Sequence, residues 1–116
     1  MDAHSQGTPQ YIQLSFPAPA IPRRVELTFQ GGFVGTKCSV KALRSSSGNP
    51  GQKWEEMMRI YPEDVNRKQV FDLTSFDASE WQVDGLRFVF EESSDFFGRV
   101  TVYDLQLFGV AASQRQ

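Results

Sequence analysis

The residues best suited to chemistry lie in an acidic and aromatic turn near the end of the sequence. Glu91, Glu92 and Asp95 carry carboxylates that could bind a hard cation such as calcium, which prefers oxygen ligands. Two or three neighbouring acidic residues are far more often solvated in a turn. No second acidic group has a predictable position opposite them, as hydrolysis by paired carboxylates would require. We therefore predict no metal site and no cofactor here.

The same turn contains two adjacent aromatic residues and an arginine. Phe96 and Phe97 cannot easily both face a core, so one ring is expected to cap the fold and the other to be available to a partner. Core capping is the favoured interpretation. Arg99 can either pair with Asp95 across the turn or contact the carboxylate of a ligand, and both alternatives stay open. Together with Phe33 in an earlier glycine-rich turn, these residues form the predicted partner-binding set: Phe33, Phe96, Phe97 and Arg99.

The rest of the sequence offers little for catalysis. His4 is the only histidine, which excludes a histidine-dependent triad and a site with several histidine ligands. Cys38 is the only cysteine, lies on a predicted strand and is expected to pack as a small apolar residue. The glycine-rich segment from Gly31 to Gly35 lacks the Lys-Ser/Thr ending of a phosphate-binding loop, and its glycines are better explained by a tight strand connection. We predict that the chain is not an enzyme and has no catalytic residues.

Length and charge further restrict the class of protein. The 116 residues suffice for one domain spanning the whole chain, with ends at 1–9 and 110–116 that we expect to be frayed. A net charge of −2 gives no basic surface for direct binding of nucleic acid. The N-terminus does not resemble a signal peptide, and no apolar run approaches the roughly 20 residues that cross a bilayer. We therefore expect an intracellular protein, in the nucleus or cytoplasm or both, that has a protein partner and no membrane contact.

The elements that would position these residues are β-strands. Alternating apolar residues and closely spaced turn formers predict an all-β fold, an antiparallel β-sandwich of about seven strands. The predicted strands cover residues 11–16, 23–30, 36–43, 54–61, 68–73, 86–91 and 100–108. Pro17, Pro19 and Pro22 are expected to forbid regular pairing between the first two, because proline lacks a backbone donor. Residues 44–52 are predicted to be a surface loop, and Asp77 and Glu80 have the spacing of a capping box.

For two of these strands the sequence also predicts which side chains share a face. In residues 54–61, Trp54, Met58 and Ile60 are expected to share one face. In the last strand the inward parity switches after Val102, from which point the apolar residues occupy odd-numbered positions. This switch predicts either a β-bulge or a strand that is covered on both faces, and we interpret the strand as central.

Three short segments make the chain recognisable: residues 29–33 (FQGGF), 61–64 (YPED) and 90–100 (FEESSDFFGRV). In this order and spacing they closely resemble a family of small animal proteins that associate with an orphan nuclear receptor and are described as its repressors. The resemblance covers roughly residues 5–109. It implies a discoidin-like jelly roll of the coagulation-factor type C and galactose-binding-like superfamily, which also includes a calcium-binding subunit of the intraflagellar transport assembly.

The resemblance also implies a departure from the family pattern. Relatives carry a few tens of residues before the matching stretch, including early strands and, in calcium-binding members, part of the metal site. The sequence therefore predicts a fold lacking its first strands, with a sandwich edge left unpaired. We predict a non-enzymatic adaptor that binds a protein, such as a nuclear receptor, through loops at one end of the sandwich. The alternatives are a carbohydrate-binding module, which an intracellular location makes less favourable, and a subunit of a transport assembly.

Overall fold

The computed structural model describes residues 10–45, 53–74 and 81–112, and these residues form six antiparallel β-strands with no α-helix among them. The strands are β1 (Gln10–Phe29), β2 (Gly35–Arg44), β3 (Trp54–Ile60), β4 (Lys68–Asp72), β5 (Val83–Ser93) and β6 (Val102–Ala111). The all-β prediction is confirmed. The count is six because the first two predicted strands are one continuous strand.

The long strand β1 explains how the chain accommodates its prolines. Its first half pairs with β5 as far as Ser15, and the pairing resumes only at Ala20 after a register shift. Pro17 and Pro19 lie in that gap, where no backbone donor is needed. The predicted interruption of pairing is therefore correct for Pro17 and Pro19 but wrong for Pro22, which pairs with Gly109 of β6. The predicted separation into two strands is also wrong, because the chain stays extended through the prolines and then changes partners.

The sheet curls around β1. Along one side β1 pairs first with β5 and then with β4, while its second half pairs with β6 on the other side. Strands β3, β2 and β5 follow one another beside the first half of β1. One limb is therefore β3-β2-β5-β1 and the other is β4-β1-β6, and the two halves of β1 connect them as in a β-sandwich.

The core fills the space between the two limbs. Val25, Leu27 and Phe29 of β1 are fully buried, as their alternation predicts. The Phe29 ring meets the Phe90 ring of β5 edge to face, with centroids 5.7 Å apart and an interplanar angle of 79°. This contact joins the limbs directly, because Phe29 lies in the β4-β1-β6 limb and Phe90 lies in the other.

The last strand differs from its predicted position. Phe29 pairs with Val102 and Thr28 with Asp104, so Tyr103 is an extra residue in a β-bulge, which confirms one of the two explanations for the parity switch. Among the described residues β6 pairs with β1 alone, so the predicted central position is wrong and β6 is an edge strand. The strand continues through Val110 and Ala111, which the sequence assigns to a frayed end.

A second register shift, in the pairing of β3 with β2, changes which residues of β3 share a face. Met58 pairs with Val40 and Ile60 with Cys38, which places both on the inner face. The shift leaves Met57 as an extra residue that is also buried in the core. Trp54, on the far side of this bulge, pairs with Leu43 and lies on the outer face, contrary to the prediction.

Some predictions fall outside the described residues. These are the histidine at His4, most of the surface loop at 44–52, the capping-box spacing of Asp77 and Glu80, and the frayed ends at 1–9 and 113–116.

Candidate functional site

Three loops meet at the end of the sandwich where β1 ends and β6 begins. They are the turn between β1 and β2, the connection between β3 and β4, and the turn between β5 and β6. The amide of Gly31 donates to Asn66 Oδ1 at 2.9 Å, and the amide of Gly32 donates to Asp64 Oδ1 at 2.8 Å. The Thr101 amide donates to the carbonyl of Phe33 at 2.9 Å. The three recognisable segments are therefore assembled in one place.

The first turn requires glycine at one position. Gly32 has a φ of +89°, a conformation that side chains disfavour, as expected for a tight strand connection. The amides of Gly31 and Gly32 already donate to side-chain oxygens of the β3–β4 connection. These donors hold two loops together and so do not form a cradle for a phosphate group.

Asp95 organises the turn between β5 and β6. Its Oδ2 accepts hydrogen bonds from the amides of Phe97, at 3.1 Å, and Arg99, at 3.0 Å. Arg99 also forms a bidentate pair with this carboxylate, with Nε 2.9 Å from Oδ2 and Nη2 3.1 Å from Oδ1. Gly98, with a φ of +80°, closes the turn by donating its amide to the Asp95 carbonyl. Of the two roles open to Arg99 in the sequence, the structure contains the pairing with Asp95.

The Arg99 pair also affects the acidity of Asp95. The hydrogen bonds from the Arg99 side chain lower the pKa of the Asp95 carboxyl from 3.8 to about 2, and the amide donors of the turn act in the same direction. Asp95 is therefore ionised throughout the neutral range and can hold the turn in one conformation.

The aromatic residues of this turn point outward. Phe96 is 92% exposed and Phe97 is 65% exposed, so the expectation that core capping dominates is wrong. The two rings pack edge to face with centroids 5.1 Å apart. The Arg99 guanidinium carbon lies 5.1 Å from the Phe33 ring centroid and 5.4 Å from that of Phe97. We call these four residues, Phe33, Phe96, Phe97 and Arg99, the aromatic loop surface. They are the residues of the predicted partner-binding set, and the structure brings them together, while their role in binding stays a prediction.

Each of the other acidic residues of the turn also has a basic side chain as its partner. Glu91 Oε1 lies 3.6 Å from Arg59 Nη1, and Glu92 Oε2 lies 3.8 Å from Lys37 Nζ. Among the described residues no group of three or more potential metal-ligating side chains occurs. Cys38 is fully buried, and this burial raises the pKa of its thiol, as expected for a packing role.

Sequence reasoning missed a second, partly exposed cluster, on the outer face of the β3-β2-β5-β1 limb. The guanidinium carbon of Arg87 lies 4.3 Å from the Trp54 ring centroid and 4.9 Å from that of Tyr11, so the cation is stacked between two rings. Its Nε and Nη2 donate to Gln13 Oε1 at 2.9 and 2.7 Å. The available signal was the outward parity of Arg87 and Tyr11, but the bulge at Met57 concealed that Trp54 joins them.

The architecture places the chain in the class of β-sandwich proteins. A solved structure with the same fold is chitosan-binding module 1 from a chitosanase/glucanase of Paenibacillus sp. IK-5, with a TM-score of 0.65. The match covers 90% of this chain and 73% of that one at 13% identity, so it shows the fold alone. No protein-family model matches the chain. In the part of the chain that is described, no helix has the length and apolar character needed to cross a membrane.

The particular family follows from sequence relatives. The chain is 33% identical over 107 residues to nuclear receptor 2C2-associated protein of Mus musculus, 38% identical over 104 residues to that of Danio rerio, and 35% identical over 104 residues to that of Homo sapiens. These matches cover 90 to 92% of this chain and 67 to 69% of the relatives. The chain belongs to the nuclear receptor 2C2-associated protein family. The relatives are named for an association and the structural neighbour for binding, and neither name denotes an enzymatic activity of the matched region.

Proposed function

We propose that this chain is a non-enzymatic adaptor that binds a nuclear receptor through the aromatic loop surface and acts as a corepressor-type partner. The family name supports the kind of partner. The observation that carries the proposal is the exposure of Phe96 and Phe97, at 92% and 65%, on a turn held in place by Asp95. Large exposed aromatic residues are costly to leave in water and are enriched at the centres of protein interfaces.

The construction of the turn suits recognition. Gly98 with its positive φ, a bidentate ion pair and several hydrogen bonds from backbone amides fix the loop before any partner arrives. A preorganised loop loses less conformational entropy on binding than a mobile one. Arg99 is placed between two aromatic rings, and arginine is also enriched among residues that dominate binding energy.

The test is direct binding of the full chain to the purified nuclear receptor named by the relatives, measured by biolayer interferometry. We expect the double variant Phe96→Ala with Phe97→Ala to lose about 2 kcal/mol of binding free energy, or roughly 30-fold in Kd, with an unchanged melting temperature. Val70→Ala is the matched control, because Val70 is an exposed apolar residue on β4 (58% exposed). Absence of binding by the unmodified chain, or equal binding by the double variant, would contradict the proposal.

We also propose an intracellular location, in the nucleus or cytoplasm or both. A free and fully buried Cys38 is compatible with a reducing compartment, in which a nuclear receptor would be met. Fractionation of cells that express the tagged chain tests this, and recovery only from the culture medium would contradict it.

A carbohydrate-binding module is the second candidate, favoured by the fold of the chitosan-binding neighbour together with exposed rings that could stack on a sugar face. A glycan array separates the two candidates. Binding to an oligosaccharide that is lost in the Phe96 and Phe97 double variant would replace the receptor proposal, whereas an empty array would remove the carbohydrate candidate.

A further inference from the structure

The free edges of a β-sheet are usually protected against pairing with another chain. Within the described residues, three strands pair on one side only along their whole length: β3, β4 and β6. The first half of β1 also pairs on one side only, with β5, and contains Pro17 and Pro19, which oppose strand addition. Strand β4 is protected by its length of five residues and by the charges of Lys68 and Asp72. Strand β3 carries Glu55, Glu56 and Arg59. Each of these edges except that of β6 therefore has usual protective features.

Strand β6 lacks them. It is ten residues long, contains no proline or basic residue, and has Asp104 as its one charged residue. Its exposed apolar side chains are Tyr103 (55% exposed), Phe108 (38%) and Val110 (39%). Ten residues of strand extend roughly 33 Å, which is a large part of the 44 Å length of the described structure. Such an edge is a suitable template for strand addition.

An apolar cleft lies at the far end of the same edge. It has a volume of about 330 Å³ and is lined by the proline segment of β1 and by the end of β6. Its walls include Phe16, Pro19, Ile21, Leu107, Val110 and Ala111. The start of β6 therefore carries an exposed aromatic residue, Tyr103 in its bulge, while the end of β6 carries an apolar cleft.

We propose that β6 pairs antiparallel with β6 of a second copy of this chain. A two-fold interface requires a surface that complements itself. If one residue of the first copy contacts another residue of the second copy, the same contact occurs with the two copies exchanged. If the two-fold axis passes near Leu107, Tyr103 of one copy lies opposite Ala111 of the other, and Asp104 lies opposite Val110. Each Tyr103 ring then meets the cleft of the other copy, and the two Asp104 carboxylates do not face each other.

A single added strand buries less surface than the roughly 1,600 Å² of a standard interface. We therefore expect a reversible dimer with a micromolar dissociation constant. This interface is separate from the aromatic loop surface: its defining residues are Tyr103 and Val110, and neither belongs to the four residues proposed for receptor binding.

Sedimentation equilibrium of the full chain, from low micromolar to several hundred micromolar, tests the proposal. We expect a monomer–dimer equilibrium that is lost in Tyr103→Lys and in Val110→Lys, because an edge lysine opposes strand addition. Val70→Lys, on the protected β4 edge, adds the same charge to an exposed apolar position and should retain the dimer. A monomer at every concentration, or a dimer that survives both β6 substitutions, would overturn the proposal.

Hydrogen exchange on the unmodified chain provides a second test that does not depend on the folding of a variant. Backbone amides of β6 should become more protected as the protein concentration rises, while those of β4 should not change. Protection of β6 that is independent of concentration would contradict strand addition between copies.

Discussion

At the scale of single residues, Asp95 determines whether the aromatic loop surface keeps its shape. Its pKa is lowered to about 2 by the Arg99 pair, whereas the ordinary value is 3.8. An acid with a lowered pKa in the folded state stabilises that state when ionised, and this stabilisation is lost as the pH falls through the folded-state pKa. The stabilising effect of Asp95 should therefore be complete above about pH 4 and should be lost as the pH falls from there to about 2.

The corresponding prediction concerns Asp95→Asn. At neutral pH the variant should melt at a lower temperature than the unmodified chain, and the difference should shrink as the pH is lowered from 4 to 2. Thermal unfolding followed by circular dichroism across this range measures it. Asp104→Asn is the control, since Asp104 lies on β6 and has no contact with Arg99, and its melting temperature should follow the unmodified chain. A deficit for Asp95→Asn that is constant with pH would assign Asp95 a role independent of its charge.

The sequence singles out the residues of the aromatic loop surface, but it does not predict that both Phe96 and Phe97 are exposed. Two adjacent phenylalanines cannot alternate between the faces of a strand, and that fact alone makes Phe96 and Phe97 candidates. Their exposure depends on the hydrogen bonds of Asp95 to two amides, which fold the turn away from the core. The type of residue 95 allows such bonds, but whether they form depends on how the turn folds. The partner of the Arg99 side chain depends on the same fold, so the sequence left its role open.

At the scale of elements, the start of β2 depends on the absence of a side chain at Gly35. A Cβ atom there would lie 2.7 Å from Cγ of Phe90, and Phe90 is fully buried against Phe29 and cannot easily move. We expect Gly35→Ala to reduce the free energy of unfolding by about 1–3 kcal/mol. Urea denaturation measures this change.

Gly31→Ala is the matched control from the same segment. A Cβ at Gly31 would have its nearest contact at 3.4 Å, with Cβ of Asn66, and the backbone there does not have a positive φ. The substitution should change the free energy of unfolding by no more than about 0.5 kcal/mol. Equal destabilisation by the two variants would mean that flexibility, and not the Phe90 contact, explains the glycine at position 35.

Strand positions in the sequence were predictable, but the relations between strands were not. Alternation located both halves of β1 from Ile12 to Phe29, yet the prolines concealed that the halves are one strand. Bulges at Met57 and Tyr103 change parity locally, and the sequence showed only the second as a switch in pattern. The edge position of β6 depends on pairing between distant residues, which a pattern along the chain does not encode.

At the scale of the whole molecule, β1 makes the two limbs interdependent. Its first half completes the limb that contains Trp54, and its second half is the middle strand of the β4-β1-β6 limb. The limbs also share one core through the contact of Phe29 with Phe90. Separation of either limb would expose the inner face of the other, so neither is expected to remain folded alone.

We therefore predict a single cooperative unfolding transition. In urea, fluorescence of the tryptophans should report mainly the limb that contains Trp54, while far-ultraviolet circular dichroism reports the strands of both limbs. The two signals should give the same midpoint, because β1 cannot leave one limb without disrupting the other. Phe29→Ala should lower both midpoints together, with a loss of about 3–5 kcal/mol for a buried aromatic side chain. Separate midpoints, or a Phe29→Ala effect on one signal only, would show that the limbs fold independently and that β1 does not connect them energetically.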